Sequence, residues 1–135
     1  PTPTEMIMKI KNLLLVLAVS TTLAACSGYG RHAASPAMVS GDMLTGSNGM
    51  TLYVFDKDAA GSGKSMCNGP CATNWPPLFA MDSDGSAGDY SVITRDDGKK
   101  QWAFKGKPLY FWSKDQKAGD TTGDGFNNVW HVAKP

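Results

Sequence analysis

Apolar and aromatic residues of this chain cluster in short runs, and glycine, aspartate, asparagine and proline separate these runs. Runs of this kind are typical of β-strands bounded by turns. No segment after residue 26 repeats its apolar residues with a helical period, and only one helical turn is expected, at residues 72–75 before Pro76. The pattern therefore predicts an all-β domain with short helical turns at most. Its strands are expected near residues 51–56, 90–95, 100–105, 108–113 and 128–133.

The second and third predicted strands have the clearest connection. Asp96-Asp97-Gly98 lies between them, and glycine readily adopts the positive φ that a tight hairpin turn requires. Residues 90–105 are therefore predicted to form a β-hairpin.

The first 26 residues have the organisation of a secretory signal. Met8-Lys9-Ile10-Lys11 forms a basic head, residues 12–22 are mainly apolar, and Leu23-Ala24-Ala25-Cys26 follows. The apolar run is shorter than the roughly 20 residues of a membrane-spanning helix. Residues 1–25 are therefore predicted to be a signal peptide, and residues 1–7, which precede Met8, are interpreted as lying upstream of the true start.

Leu23-Ala24-Ala25-Cys26 resembles the lipobox of bacterial lipoproteins. The resemblance implies cleavage before Cys26, a diacylglyceryl group on its thiol and further acylation of the new amino terminus. Residues 26–40, which are small or polar, are predicted to be a flexible tether, and residues 41–135 a single folded domain. Ser27 is not the aspartate typical of inner-membrane retention, so we expect the outer membrane in a Gram-negative cell and otherwise the outer face of the plasma membrane.

Charge after cleavage is balanced. The signal peptide contains Lys9, Lys11 and Glu5, so 11 of the 13 basic and 11 of the 12 acidic residues remain. This balance gives no basic surface for a nucleic acid. All 11 remaining acids are aspartate, which favours turns over helix interiors.

The domain contains an internal duplication. Leu52-Tyr53-Val54-Phe55-Asp56-Lys57-Asp58 recurs as Leu109-Tyr110-Phe111-Trp112-Ser113-Lys114-Asp115. A tryptophan follows each tyrosine, Trp75 after 22 residues and Trp130 after 20. We therefore expect two related strand-loop-tryptophan halves around one aromatic core, anchored by Trp75, Trp102, Trp112 and Trp130.

The repeated Tyr-x-aromatic-x-x-Asp pattern, with Cys67-x-x-x-Cys71 and Trp75-Pro76-Pro77-Leu78, resembles the bacterial secreted-repeat lipoproteins of unknown function. The resemblance covers about residues 41–133. It implies an envelope lipoprotein and identifies no catalytic residue.

The repeated motif has two interpretations. Tyr53 and Phe55, like Tyr110 and Trp112, lie two positions apart and share a strand face. Asp58 and Asp115 would then end their strands by accepting hydrogen bonds from loop N–H groups or a tyrosine hydroxyl. We favour this structural role. The alternative is that both copies line one ligand-binding cleft.

Cys67 and Cys71 remain as an even pair in an oxidising compartment, and Asn68-Gly69-Pro70 between them is a turn sequence. We predict a structural disulfide, which would contribute about 2 kcal/mol by the chain-entropy relation. A redox dithiol is the alternative.

No catalytic residue, metal or cofactor is expected. His32 and His131 are the only histidines, and neither lies in a hydrolase motif. Residues 56–61 and 115–125 combine aspartate and glycine as calcium loops do but lack the EF-hand spacing, so calcium binding stays open. The sequence predicts a non-enzymatic envelope lipoprotein that binds a protein, glycan or small ligand or has a structural role. The alternative is a redox or metal-handling accessory.

Overall fold

Short strands dominate the structure, a computed structural model that describes residues 35–135. The predicted signal peptide, Cys26 and residues 26–34 of the predicted tether lie outside the described residues. One α-helix, α1, and one 3-10 helix accompany the strands. Their bounds, in chain order, are β1 Met38–Ser40, β2 Met43–Thr45, β3 Tyr53–Phe55, α1 Pro70–Asn74, β4 Tyr90–Thr94, β5 Lys100–Phe104, β6 Lys107–Pro108, the 3-10 helix Phe126–Asn128 and β7 Trp130–Val132.

The strands form three small antiparallel sheets. β1 pairs with β2, β3 pairs with β7, and β4, β5 and β6 form a three-stranded sheet in that order. The predicted 90–105 hairpin is confirmed, with Val92 opposite Trp102 and a turn in which Gly98 has φ of 83°. These three sheets, with one short helix and one 3-10 helix beside them, confirm the all-β prediction. Among the described residues, no helix combines the length and apolar character needed to cross a membrane.

Three segments differ from the sequence-based prediction. Met38–Ser40, assigned to the tether, forms β1 within the compact unit Ser35–Pro135, and Met43–Thr45, for which no strand was predicted, forms β2. All three residues of β1 are exposed, so no alternation of apolar and polar residues marks this strand. The strand predicted over 108–113 is also shorter, because only Lys107–Pro108 belongs to β6.

The segment after β6 nevertheless makes backbone hydrogen bonds. Tyr110 forms isolated bridges with Tyr53 and Pro77, and Phe111 N–H donates to the carbonyl of Pro76 at 2.7 Å. Proline has no backbone N–H, so Pro76 and Pro77 cannot complete a regular ladder beside this segment. The chain continues through single bridges instead.

The core consists of two clusters. An aliphatic cluster contains the buried residues Ala37, Leu44, Leu52, Leu109 and Ala133. An aromatic cluster lies where the two halves of the duplication meet, and it contains Tyr53, Cys67, Trp75, Tyr110, Trp112 and Trp130. The repeated Leu-Tyr pairs therefore contribute one residue to each cluster.

Candidate functional site at the contact between the repeats

The two copies of the motif meet at their tyrosines. Tyr53 N–H donates to the carbonyl of Tyr110 at 2.7 Å, and Tyr110 N–H donates to the carbonyl of Tyr53 at 3.0 Å. Equivalent residues in an antiparallel pair exchange both bonds, as related halves around a local two-fold axis would do. This backbone pair places the side chains of each copy next to the loops of the other.

Each tyrosine hydroxyl donates to the aspartate of the other repeat. Tyr110 Oη donates to Asp58 Oδ2 at 2.6 Å, which we call the first junction. Tyr53 Oη donates to Asp115 Oδ2 at 2.7 Å, which we call the second junction. Both tyrosines are fully buried, and Asp58 and Asp115 are only 5% and 8% exposed. The motif therefore joins the repeats crosswise inside the protein.

The remaining carboxylate oxygens hold the loops that follow the strands. Asp58 Oδ1 accepts the N–H of Met66 at 2.6 Å, and Asp115 Oδ1 accepts the N–H and the hydroxyl of Thr122 at 3.0 and 2.5 Å. Each aspartate accepts from a loop N–H and a tyrosine hydroxyl, the two kinds of donor that the sequence suggested. In this geometry the tyrosines and aspartates of the motif lie inside the core, with their polar atoms bonded to each other and to the loops.

Burial controls the ionisation of these groups. It raises the pKa of the Tyr53 and Tyr110 hydroxyls above their ordinary range, and the hydrogen bonds to Asp115 and Asp58 raise it further. Burial also raises the pKa of Asp58, although hydrogen bonds from Tyr110 and Met66 and the charge of Arg95 oppose that rise. Both phenols are therefore held neutral, as hydrogen-bond donors.

A buried arginine distinguishes the first junction. Arg95 is 4% exposed, and its Nη1 donates to Ser65 Oγ at 2.9 Å and to Gln101 Oε1 at 2.7 Å. Its Nη2 donates to the carbonyl of Cys67, and Ser65 Oγ lies 2.5 Å from Tyr110 Oη. The guanidinium thus connects the phenol, the disulfide loop and β5. Arg95 Nε is buried without a hydrogen-bond partner among the described residues.

Four aromatic rings from both repeats stack in one row. Phe55 stacks on Trp130 at 4.2 Å between ring centroids, Trp130 on Trp75 at 3.8 Å, and Trp75 on Trp112 at 4.0 Å. The three tryptophans are 3–6% exposed. Trp102, the fourth predicted anchor, lies outside this row and has an edge contact with Tyr90.

The tyrosines pack against the row at their edges. Tyr53 contacts Trp75 at 5.3 Å between ring centroids, and Tyr110 contacts Trp130 at 5.1 Å, both with edge-to-face geometry. Gly123 passes close to the row, since a Cβ atom there would lie 2.7 Å from the Trp75 ring. Its N–H also points to Tyr53 Oη at 3.3 Å. Glycine at this position lets the second loop approach the stack.

Cys67 and Cys71 form a disulfide, with 5.2 Å between their Cα atoms. Cys67 is fully buried in the aromatic cluster, and Cys71 packs against that cluster at the start of α1. Pro70 occupies the first turn of this helix, where a proline costs no backbone hydrogen bond. The bridge therefore fixes the loop that carries both Ser65 and the carbonyl bound by Arg95.

The other candidate residues lie at the surface. Asp120 Oδ2 accepts the N–H groups of Gln116 and Lys117, and Asp124 Oδ1 accepts the N–H of Val132, so loop donors occupy these oxygens. Within residues 35–135, no three His, Cys, Asp or Glu side chains form a group suited to a metal ion. His131 Nε2 lies 2.8 Å from Asp56 Oδ2 in a half-exposed pair.

The fold and this site define a class: a small all-β domain made of two repeats that exchange tyrosine–aspartate bonds. The profile of a family described as a secreted repeat of unknown function matches the chain over residues 38–79 and again over residues 91–134. The chain belongs to this family, and the suspected resemblance is confirmed. The description indicates an extracellular or envelope location. Comparison with curated proteins and with solved structures found no match.

Arg95, Ser65 and Thr122 take part in the junctions but were not identified from the sequence. Arg95 had one available signal, because it is the only arginine after Arg31 in a chain that otherwise uses lysine. Arginine suits buried sites with several acceptors better than lysine does. Ser65 and Thr122 had no comparable signal, since small hydroxyl residues are frequent in the loops of this chain.

Proposed function

We propose that this protein is a non-enzymatic, lipid-anchored module of the cell envelope that binds an envelope protein, a glycan or a small ligand. The reciprocal bonding of Tyr53, Asp115, Tyr110 and Asp58 supports this proposal most directly. These are the residues that the motif repeats, and their polar atoms are engaged with each other inside the core. The domain then acts as a fixed scaffold, and binding uses its outer surface.

The anchor in this proposal is Cys26. The signal-like residues 8–25 and the lipobox-like sequence Leu23-Ala24-Ala25-Cys26 support lipidation there, and the family's secreted character agrees with export. Two or three acyl chains, such as palmitate, would hold the module stably at a membrane. Ser27 favours the outer membrane where the cell has one, and otherwise the module lies on the outer face of the plasma membrane.

Metabolic labelling with radioactive palmitate tests the anchor. The parent should incorporate the label and sediment with membranes, whereas Cys26→Ser should incorporate none. Cys67→Ser is the matched control, because it removes a cysteine within the folded domain and should keep the label. Equal labelling of the parent and Cys26→Ser would overturn the lipoprotein assignment.

The competing function is a redox or metal-handling accessory. Thiol titration and elemental analysis of the purified native protein separate the two proposals. A structural bridge between Cys67 and Cys71 predicts no free thiol from this pair and no stoichiometric metal. Two titratable thiols or one bound metal per chain would favour the accessory function.

A further inference from the structure

A groove of about 380 Å³ lies beside the β3–β7 ladder. Val54 and Val132 of that ladder, together with Phe104 at the end of β5, give it apolar walls. Lys105, Lys107 and Lys134 also line it. The volume falls within the roughly 300–1,000 Å³ of small-molecule sites. Apolar walls combined with ammonium groups suit a ligand that has both an apolar body and a negative charge.

The charge of the groove is unbalanced. Asp56 is its only acidic lining residue, and that carboxylate is paired with His131 at 2.8 Å. Lys134 has a loose contact of 3.7 Å with Asp42, and both side chains are well exposed. Lys105 and Lys107 form no ion pair with any residue in the described range 35–135. Two ammonium groups are therefore available to an anion.

Lys105 occupies a backbone position that does not favour lysine. Lys105 and Gly106 form the two-residue turn between β5 and β6, with φ values of 49° and 81°. Turns with two positive φ values favour asparagine, aspartate or glycine at the first position. Lysine lacks this preference and is strained there, and such strain concentrates at functional sites. The Lys105 Nζ lies 5.2 Å from the centre of the Phe104 ring, at the groove.

We propose that this groove binds a small organic anion with an apolar body, such as a medium-chain carboxylate. The apolar part contacts Val54, Phe104 and Val132, and the carboxylate binds the ammonium groups of Lys105 and Lys107. Lys105 is a binding residue whose backbone strain is retained for its charge. This inference rests on the proposed binding function, since it names the ligand class of such a module.

Equilibrium dialysis of radiolabelled hexanoate tests the site, with the mature anchored protein in nanodiscs of zwitterionic lipid and empty nanodiscs as background. The protein should bind hexanoate more tightly than hexanol, which has the same chain length and no charge, and added salt should weaken the binding. Lys105→Asn should lower the affinity roughly tenfold, because it removes one charge-assisted contact. Lys114→Asn is the control with an equal charge change outside the groove, and it should bind like the parent.

Thermal unfolding of the same variants separates binding from folding. Asparagine tolerates positive φ, so Lys105→Asn should melt at the same temperature as the parent or higher while it loses hexanoate. Equal affinity for hexanol and hexanoate, unchanged affinity in Lys105→Asn, or no binding to the parent would overturn the site. Competition by nanodiscs of anionic lipid would also overturn it, because the occupant would then be a lipid head group. Palmitate labelling does not depend on the groove, so a failure here leaves the test of the anchor intact.

Discussion

The two junctions share one design but differ in their surroundings. The second junction, Tyr53 with Asp115, is completed by Thr122 and Gly123, which are neutral. The first junction, Tyr110 with Asp58, is completed by Ser65 and the buried guanidinium of Arg95. A buried cation near a buried carboxylate favours the charged form of that carboxylate, whereas burial disfavours it. The repeats thus keep the same hydrogen bond in two electrostatic environments.

This difference has a structural origin. The β4–β5 hairpin of the second repeat extends to the pair Thr94 and Lys100, beyond which Arg95 N–H donates to the carbonyl of Lys99. The β1–β2 hairpin of the first repeat closes directly after Ser40 and Met43. The longer hairpin carries Arg95 to the loop of the first repeat. The first junction therefore depends on a residue supplied by the hairpin of the second repeat.

The largest expected decrease in stability comes from breaking the aromatic stack that both junctions share. Trp75→Ala removes two stacked neighbours, at 4.0 and 3.8 Å, and the edge contact with Tyr53. It should lower the free energy of unfolding by about 3–5 kcal/mol, measured by urea denaturation. Trp130→Ala should cost about the same, because Trp130 has the equivalent position beside Tyr110. Exposed Phe79→Ala is the control, and a loss below about 1 kcal/mol in either tryptophan variant would contradict the shared stack.

Replacement of Arg95 should affect only the first junction. Arg95→Leu leaves Gln101 Oε1 and the carbonyl of Cys67 without their charged donor, so we expect a loss of about 2–3 kcal/mol in urea denaturation. Lys64→Leu, an exposed lysine in the same loop as Ser65, should change stability by less than about 0.5 kcal/mol. A neutral or stabilising Arg95→Leu would show that apolar packing can replace the guanidinium.

The two aspartates should respond unequally. Asp58→Asn and Asp115→Asn each weaken the hydrogen bonds that the carboxylate accepts from a tyrosine hydroxyl and from a loop N–H. This loss costs on the order of 1–3 kcal/mol. Asp58→Asn should be the milder change at neutral pH, because burial raises the pKa of this carboxyl and its charge is disfavoured in the folded state. Thermal melts with and without calcium provide the measurement. Stabilisation of the parent alone by calcium would instead favour a ligand-binding role.

Alkaline pH should destabilise the protein through both phenols. Tyr53 and Tyr110 keep their protons in the folded state, because burial raises their pKa, while an unfolded tyrosine ionises near about pH 10. The unfolded state then binds fewer protons, so stability falls as pH rises above about 10, by up to roughly 1.4 kcal/mol per pH unit for each phenol.

Single Tyr53→Phe and Tyr110→Phe variants sharpen the comparison of the junctions in alkaline solution. Each single variant should remove one phenol's contribution to the decrease in stability with rising pH, and the double variant should remove both contributions. Denaturation across the alkaline range, with phenolate absorbance as a second readout, supplies the values. An unchanged slope in both single variants would show that other groups control alkaline unfolding.

Local pattern predicted much of the fold. Alternating apolar runs and Asp96-Asp97-Gly98 were sufficient for the β4–β5 hairpin, because neighbouring residues form its register and turn. The separation of four residues between Cys67 and Cys71 likewise brings together cysteines that the structure joins. β1 and β2 were missed because each has only three residues and neither alternates exposed and buried positions. The strand predicted over 108–113 is longer than the observed β6, because the segment that pairs with it contains Pro76 and Pro77.

The sequence by itself determined that the domain is a duplicated all-β unit and which residues each half repeats, since composition and spacing are local properties. Only the tertiary structure decided that each tyrosine bonds to the aspartate of the other half, 62 and 52 residues away. It also decided that Arg95 enters one junction and not the other. Such contacts depend on how the two halves pack, and side-chain packing over long sequence separations leaves no periodic signal in the chain.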